Sequence, residues 1–151
     1  QKCTHPEKAE DGNFVACMDY KMVGETFLPG WRVAASIITQ TEVSQKCTHP
    51  EKAEDGNFVA CMDYKMVGEK LWVRPRHDGD RFQPMGLPEV KKLQDFMVDA
   101  KIPRSWRDRV PLVCSPQGIL WVVGYRIADS VKLTEHTEQV LRLEFKQRGN
   151  S

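Results

Sequence analysis

The sequence lacks the short motifs that most often mark a catalytic centre. It contains no GxxxxGK[ST] or Ser-Gly-Gly phosphate loop, no GxSxG turn and no HExxH pair. Those motifs are typical of nucleotide-binding enzymes, serine hydrolases and zinc hydrolases. No histidine pairs with a plausible serine or cysteine nucleophile, because His49, His77 and His136 lie in separate polar stretches. We therefore predict no catalytic residue in this chain.

A long exact repeat inflates the chain length and the counts of cysteines and charged residues. Residues 1–25 recur letter for letter as residues 45–69. Diverged structural repeats are not identical over such a length, and solenoids need about three copies to bury a core. We therefore treat residues 1–25 as a duplicate of 45–69, residues 26–146 as one domain and residues 147–151 as a frayed tail. The duplicate is expected to be displaced, to add as an edge strand, or to exchange with a second molecule in a homodimer.

Further absences bear on compartment and metal chemistry. No apolar run approaches the ~18 residues of a membrane span, and no basic, then apolar leader begins the chain. We therefore expect a soluble, cytoplasmic protein with no membrane partner.

Without the duplicate, three cysteines and no CxxC pair remain, which argues against a disulfide framework. Asp78 and Asp80 flank a glycine, but a turn that caps backbone amides is favoured there over magnesium, so we predict no metal ligand.

Hydrophobic patterning predicts an α+β fold, with a small, mostly antiparallel sheet, one main helix and a short helical turn inserted mid-chain. Alternating or β-branched runs predict strands at 31–40, 57–66, 71–73, 111–114, 119–125 and 139–145. The first two strands are expected to pair antiparallel, and the fourth and fifth to form a hairpin around a four-residue turn.

The helical segments are predicted from their spacing and from prolines. Residues 89–100 place Leu93, Phe96 and Met97 on one helical face, directed at the core, and Pro88 suits the first turn. Residues 104–109 are predicted as the short helical turn. The stretch 77–88 contains two glycines and two prolines and is predicted as a loop.

The formal net charge of +1 hides an uneven distribution. Residues 70–126 hold eleven Lys and Arg against six Asp and Glu, a net charge of +5. Such a basic stretch is typical of a surface that binds a phosphate backbone, because arginine offers bidentate contacts and lysine a point charge. The candidate RNA-binding residues are Arg74, Arg76, Arg81, Lys91, Lys92, Lys101, Arg104, Arg107 and Arg109.

A structural role is the alternative for the same side chains. Arg81 stands beside Asp80, and Arg107 and Arg109 flank Asp108, so internal ion pairs would fix loops without touching a ligand. The two roles differ in one observable: side chains that bind RNA face open water, and structural ones face carboxylates.

The basic stretch resembles a known family. Residues 71–114, followed by 118–127, carry the series VRPR, GDRF-x-P-x-G, KKL-x-DF, D-x-K-x-P-x-x-x-R, PLV and WVVG-x-R-I. This series resembles the C-terminal domain of bacterial tRNA(Ile)-lysidine synthase, and the looser similarity extends over about 100 residues, without residues 1–25.

The resemblance implies a place in tRNA modification. The full enzyme of that family is a ligase that uses ATP and magnesium to attach lysine to the wobble cytidine of an isoleucine tRNA, forming lysidine. Its ATP-binding catalytic domain is absent from these 151 residues, so the resemblance implies no cofactor and no ligation here. It implies a substrate-recognition domain that binds the acceptor stem and body of the tRNA. The alternative is a structural or oligomerisation module of the same enzyme without RNA contact.

Overall fold

The computed structural model describes residues 7–8, 14–19, 24–28, 30–47, 56–68 and 70–148. Their strands are β1 (Glu7–Lys8), β2 (Phe14–Asp19), β3 (Gly24–Leu28), β4 (Trp31–Thr39), β5 (Asn57–Asp63), β6 (Lys70–Arg74), β7 (Arg81–Phe82), β8 (Lys91–Lys92), β9 (Leu112–Ser115), β10 (Gly118–Val122) and β11 (Gln139–Gln147). Their helices are α1 (Val43–Lys46), α2 (Tyr64–Val67), α3 (Leu93–Asp99) and α4 (Arg104–Arg107), with 3-10 turns at Gln40–Glu42 and Asp129–Val131. These elements confirm the predicted α+β class.

The strands form two larger antiparallel sheets and a small hairpin, where the sequence predicted one sheet. The first sheet has the order β1-β2-β6-β9-β10, the second has the order β3-β4-β11-β5, and β7 pairs with β8 alone. Among the helices of the described residues, none is long and apolar enough to cross a membrane.

The last strand, β11, is the centre of the second sheet. It pairs along its length with β4 on one side and with β5 on the other, so that Leu143 lies between Ala35 and Ala60. The predicted direct pairing of 31–40 with 57–66 is therefore wrong, because β11 lies between those strands. Along β11, Leu141, Leu143 and Phe145 are buried on the face toward the main core, and Val140 is buried on the opposite face with Ile38 and Cys61.

Aromatic rings connect the two larger sheets. Phe145 of β11 lies edge to face with Trp121 of β10, with ring centroids 5.4 Å apart, and 5.8 Å from Trp31 of β4. The predicted core residues Leu93, Phe96 and Met97 of α3 are buried in the same hydrophobic cluster. One core therefore joins both sheets and the main helix.

The equivalent strands of the two copies, β2 and β5, lie in different sheets. The backbone of β2 pairs with β6 through Ala16–Asp19, whereas the identical strand β5 pairs with β11. Most of the rest of 1–25 lies outside the described residues. Strand exchange between molecules remains a prediction.

Cysteine pairing differs from the sequence expectation. Cys47, at the end of α1, forms a disulfide with Cys61 of β5, with α carbons 6.0 Å apart. The two cysteines lie 14 residues apart, and the second sheet brings the ends of that segment together.

Cys114 is a buried free thiol, and burial raises its pKa to about 11. A thiol with that pKa stays protonated at neutral pH, which argues against a nucleophilic role.

The main helix begins later than its spacing predicts. Lys91 and Lys92 are extended and pair with Phe82 and Arg81, so α3 starts at Leu93 and not at residue 89. The predicted loop 77–88 likewise contains strand β7.

The C-terminal elements follow the prediction with shifted ends. Strands β9 and β10 form the expected hairpin, but Gly118 lies opposite Ser115, so the turn has two residues and not four. Strand β11 continues to Gln147, and the Arg148 amide donates to the Gly30 carbonyl oxygen at 2.9 Å. The tail predicted from residue 147 is therefore ordered through residue 148, and 149–151 lie outside the described residues.

Candidate nucleic-acid interface

A tight turn before β7 organises the basic region. Gly79 has a φ of +87°, which glycine adopts without steric cost. The Asp80 amide donates to the His77 carbonyl oxygen at 3.2 Å, and the His77 amide donates to the Asp80 carboxylate at 2.7 Å. The Leu93 amide donates to the Asp80 carbonyl oxygen at 2.9 Å. Asp80 therefore ties the turn to the first residue of α3.

Arg74 stabilises this turn through its side chain. Its guanidinium donates to both carboxylate oxygens of Asp80, at 2.9 and 3.0 Å, and the side chains are only 17% and 12% exposed. Burial alone would raise the pKa of the Asp80 carboxyl, but hydrogen bonds from Arg74 and His77 outweigh it and hold that pKa below its usual value. The pair fixes the loop, and Asp80 is engaged by protein donors and does not stand open as a magnesium ligand.

Three more of the predicted RNA-binding cations are engaged by protein acceptors. Arg76 donates to Asp108 at 2.8 Å, and Arg107 donates to the Ile102 carbonyl oxygen at 2.9 Å. Lys91 forms an ion pair with Asp99. With Arg74, these side chains hold loops and helix ends in place.

Arg81 and Lys92 have the opposite environment. They are direct partners across the β7–β8 hairpin, both are exposed, and neither has an ion-pair or hydrogen-bond partner for its side chain in the described part of the chain. Both line a cleft of about 220 Å³, here called the hairpin cleft, together with Arg76, His77, Asp78 and Asp80. Like charges directly opposite each other destabilise a strand pair, so an anion between them would relieve repulsion.

Three further cations extend the exposed set. Lys101 follows α3 with a φ of +60°, Arg104 begins α4, and Arg109 follows Asp108. All three side chains are exposed, and no carboxylate among the described residues lies within ion-pair distance of them. Because Asp108 binds Arg76, the end of α4 is held beside the hairpin cleft.

The ion pairs proposed from sequence neighbours are wrong in their partners. Asp80 binds Arg74 and not Arg81, and Asp108 binds Arg76 and not Arg107 or Arg109. Adjacent residues in an extended or turning chain point in different directions, so the nearest charge in sequence is not the nearest in space. The juxtaposition of Arg81 with Lys92 was missed because it requires the unpredicted hairpin.

Two aromatic side chains near the cations, those of Phe82 and Trp106, differ in exposure. Phe82 is 5% exposed and packs edge to face on Phe96, 5.1 Å away, so it belongs to the core and offers no stacking face. Trp106 is partly buried against the same cluster. Within the described ranges, no three metal-binding side chains converge on one point.

Comparisons with known proteins agree on the region around this site. Residues 71–145 match the family described as the TilS substrate C-terminal domain. A tRNA(Ile)-lysidine synthase of Dehalococcoides mccartyi is 56% identical over 79 residues, which cover 52% of this chain and 17% of that protein. Its counterpart in Caldanaerobacter subterraneus is 48% identical over 73 residues, covering 48% and 16%. The matched region spans 16–17% of the length of these relatives.

Solved structures share the fold. A crystal structure of a TilS C-terminal domain superposes with a TM-score of 0.65 at 26% identity, covering 90% of this chain and 99% of that one. An N-terminal fragment of the phenylalanyl-tRNA synthetase β-subunit from Pyrococcus horikoshii superposes with a TM-score of 0.59 at 11% identity, covering 77% and 39%. The second similarity concerns the fold alone.

Proposed function

The chain belongs, through residues 71–145, to the TilS substrate C-terminal domain family, and from that membership we propose that it binds an isoleucine tRNA for lysidine formation. The relatives that it matches are tRNA(Ile)-lysidine synthases. In this proposal the chain recognises the acceptor stem and body of the tRNA. The ATP- and magnesium-dependent ligation of lysine, in the cytoplasm, is left to parts of the enzyme that the match does not cover.

One observation carries the proposal. Arg81 and Lys92 are opposed across a hairpin and exposed, and neither has an ion-pair partner in the part of the chain that the structure describes, although Asp78 and Asp80 line the same cleft. A phosphate group supplies the negative charge and the acceptor oxygens that this arrangement lacks. We assign phosphate contacts to the exposed cations Arg81, Lys92, Lys101, Arg104 and Arg109, and positioning to Arg74, Arg76, Lys91 and Arg107.

The salt dependence of binding tests this assignment. Each neutralised phosphate contributes about −0.9 to the slope of log K against log salt, so five contacts predict a slope of about −4.5 for the 151-residue chain on an isoleucine tRNA transcript. The Arg81→Ala variant is expected to make the slope shallower by about 0.9. Lys65, which is exposed and belongs to α2, provides the control variant Lys65→Ala with an unchanged slope.

Binding without salt dependence, or a slope that Arg81→Ala leaves unaltered, contradicts the proposal. Circular dichroism of each variant checks that the fold is retained. If Arg81→Ala unfolds the protein, Arg81 has a structural role.

A further inference from the structure

A second cavity lies beside α3. It has a volume of about 350 Å³ and is bounded by α3 and by the turn that follows β10. Its apolar wall includes Phe96 and Ala100, and its polar lining includes Lys91, Asp99 and Arg126. Tyr125 lines it as well, so we call it the tyrosine pocket. Its volume is at the lower end of the ~300–1,000 Å³ range of small-molecule sites.

The turn that presents Tyr125 is fixed by its neighbours. The Tyr125 amide donates to the Val122 carbonyl oxygen at 2.8 Å, and the Val122 amide donates to the Arg126 carbonyl oxygen at 3.1 Å. Gly124 has a φ of +89°, and a β carbon there would meet the Phe58 ring at 3.2 Å. Glycine is therefore required, and the backbone that carries Tyr125 and Arg126 is closely packed.

The charged groups that line the tyrosine pocket differ in how many protein partners they have. Lys91 binds one carboxylate oxygen of Asp99, whose side chain is 64% exposed, so the other oxygen can accept a hydrogen bond from a ligand. The Arg126 guanidinium has no carboxylate partner among the residues that the structure describes. The pocket thus offers an aromatic ring, an acceptor and a cation within one cavity.

We infer that the tyrosine pocket holds one unpaired nucleotide of the bound RNA, an inference that rests on the proposed function. Unstacked bases are recognised by aromatic rings together with hydrogen bonds to base edges. Here the base stacks on Tyr125, an amino group of its edge donates to Asp99, and its phosphate binds Arg126. Lys91, paired with Asp99, positions that carboxylate.

Two RNA hairpins test the inference on the 151-residue chain. They share one duplex, but one ends bluntly and the other carries a single unpaired 3′ adenosine. Because a base stacked on an aromatic ring binds more tightly than one left in water, the wild-type chain is expected to bind the overhang hairpin about tenfold more tightly than the blunt one. A 2-aminopurine in place of that adenosine keeps the purine ring but not the C6 amino group, so it reports stacking on Tyr125 alone and is expected to lose fluorescence on binding.

The variants separate this site from the hairpin cleft. Tyr125→Leu is expected to abolish the tenfold preference and leave the affinity for the blunt hairpin unchanged, whereas Arg81→Ala weakens both hairpins equally. Tyr64, a partly buried tyrosine of α2, provides the control Tyr64→Leu, which keeps the preference. Should Tyr125→Leu fail to fold, Arg126→Ala removes a side chain that has no carboxylate partner among the described residues, and it is expected to reduce the preference about threefold.

The outcomes also separate the inference from the proposed function. Equal, salt-dependent binding of both hairpins by the wild-type chain would overturn the nucleotide pocket and leave the phosphate contacts supported. A preference that survives both Tyr125→Leu and Arg126→Ala would place the unpaired nucleotide elsewhere and equally overturn the pocket. Failure to bind either hairpin or the isoleucine tRNA transcript would overturn both proposals.

Discussion

Replacing Phe145 with alanine is expected to lower the free energy of unfolding by about 4 kcal/mol, the largest effect that we predict for a single substitution. The Phe145 side chain is fully buried and lies between Trp121 of the first sheet and Trp31 of the second. Its removal leaves a cavity where the two sheets meet. Urea unfolding followed by tryptophan fluorescence measures the change as a lower midpoint at constant slope.

Two comparisons make this result specific. Val98 lies on the exposed side of α3 with half of its surface accessible, so Val98→Ala is expected to change stability by no more than ~0.5 kcal/mol. In a double-mutant cycle of Phe145→Leu with Trp121→Leu, the edge-to-face contact at 5.4 Å predicts a coupling energy of about 0.5–1.5 kcal/mol. A loss below about 1 kcal/mol for Phe145→Ala would show that the sheets do not depend on this contact.

The second large effect is expected at Asp80. Asp80→Asn leaves the Arg74 guanidinium, whose side chain is 17% exposed, without its counter-charge. Breaking a buried ion pair costs ~3–5 kcal/mol, and partial solvent access reduces this to about 2–3 kcal/mol. Asp78→Asn is the matched control, because Asp78 lies two residues away, is exposed and has no partner in the described part of the chain. It is expected to be neutral within ~0.5 kcal/mol.

The same pair predicts a dependence on pH. The pKa of the Asp80 carboxyl is lowered in the folded protein, so its contribution to stability is fully present above the usual aspartate pKa of ~3.9 and is lost as pH falls through the folded value. The stability difference between wild type and Asp80→Asn is therefore expected to be constant from about pH 5 to 7 and to shrink below about pH 4. A difference that persists unchanged in acid would contradict the assigned role.

Local patterning was sufficient to predict most elements but not their pairing. The alternation along 139–145 predicted strand β11, in which Leu141, Leu143 and Phe145 are buried on one face and Val140 on the other. Sequence spacing alone could not show that β11 lies between β4 and β5, because pairing between strands distant in sequence depends on the assembled core. Helix α3 was placed four residues too early for a related reason: the hairpin pairing of Lys91 and Lys92 overrides helical spacing.

The sequence predicted which basic residues belong to the candidate site but not how they are arranged in space. All nine cations came from the basic stretch, but their partners depend on the turn at Gly79 and on contacts between distant segments, such as Arg76 with Asp108 across 32 residues. Arg126 was not singled out, because it lies outside the main arginine cluster and reaches its pocket only through the turn after β10. The family resemblance implied the partner without assigning roles to individual side chains.

The central claim is that the two opposed cations of the hairpin cleft bind RNA phosphates. It is tested most directly by comparing two double variants that remove the same charge, at one fixed salt concentration, on an isoleucine tRNA transcript. One is Arg81→Ala with Lys92→Ala. The other is Lys65→Ala with Lys146→Ala, which removes exposed cations outside the cleft that lack side-chain partners among the described residues.

We expect the cleft variant to lose at least about tenfold in affinity, since hydrogen bonds to charged groups contribute ~1.5–3 kcal/mol, while both variants keep the circular dichroism of the wild type. The control variant is expected to lose less than about twofold, because removal of distant charge acts only through the screened field of the protein. Equal losses in the two variants would contradict the account, since binding would then follow total charge and not the arrangement of Arg81 opposite Lys92.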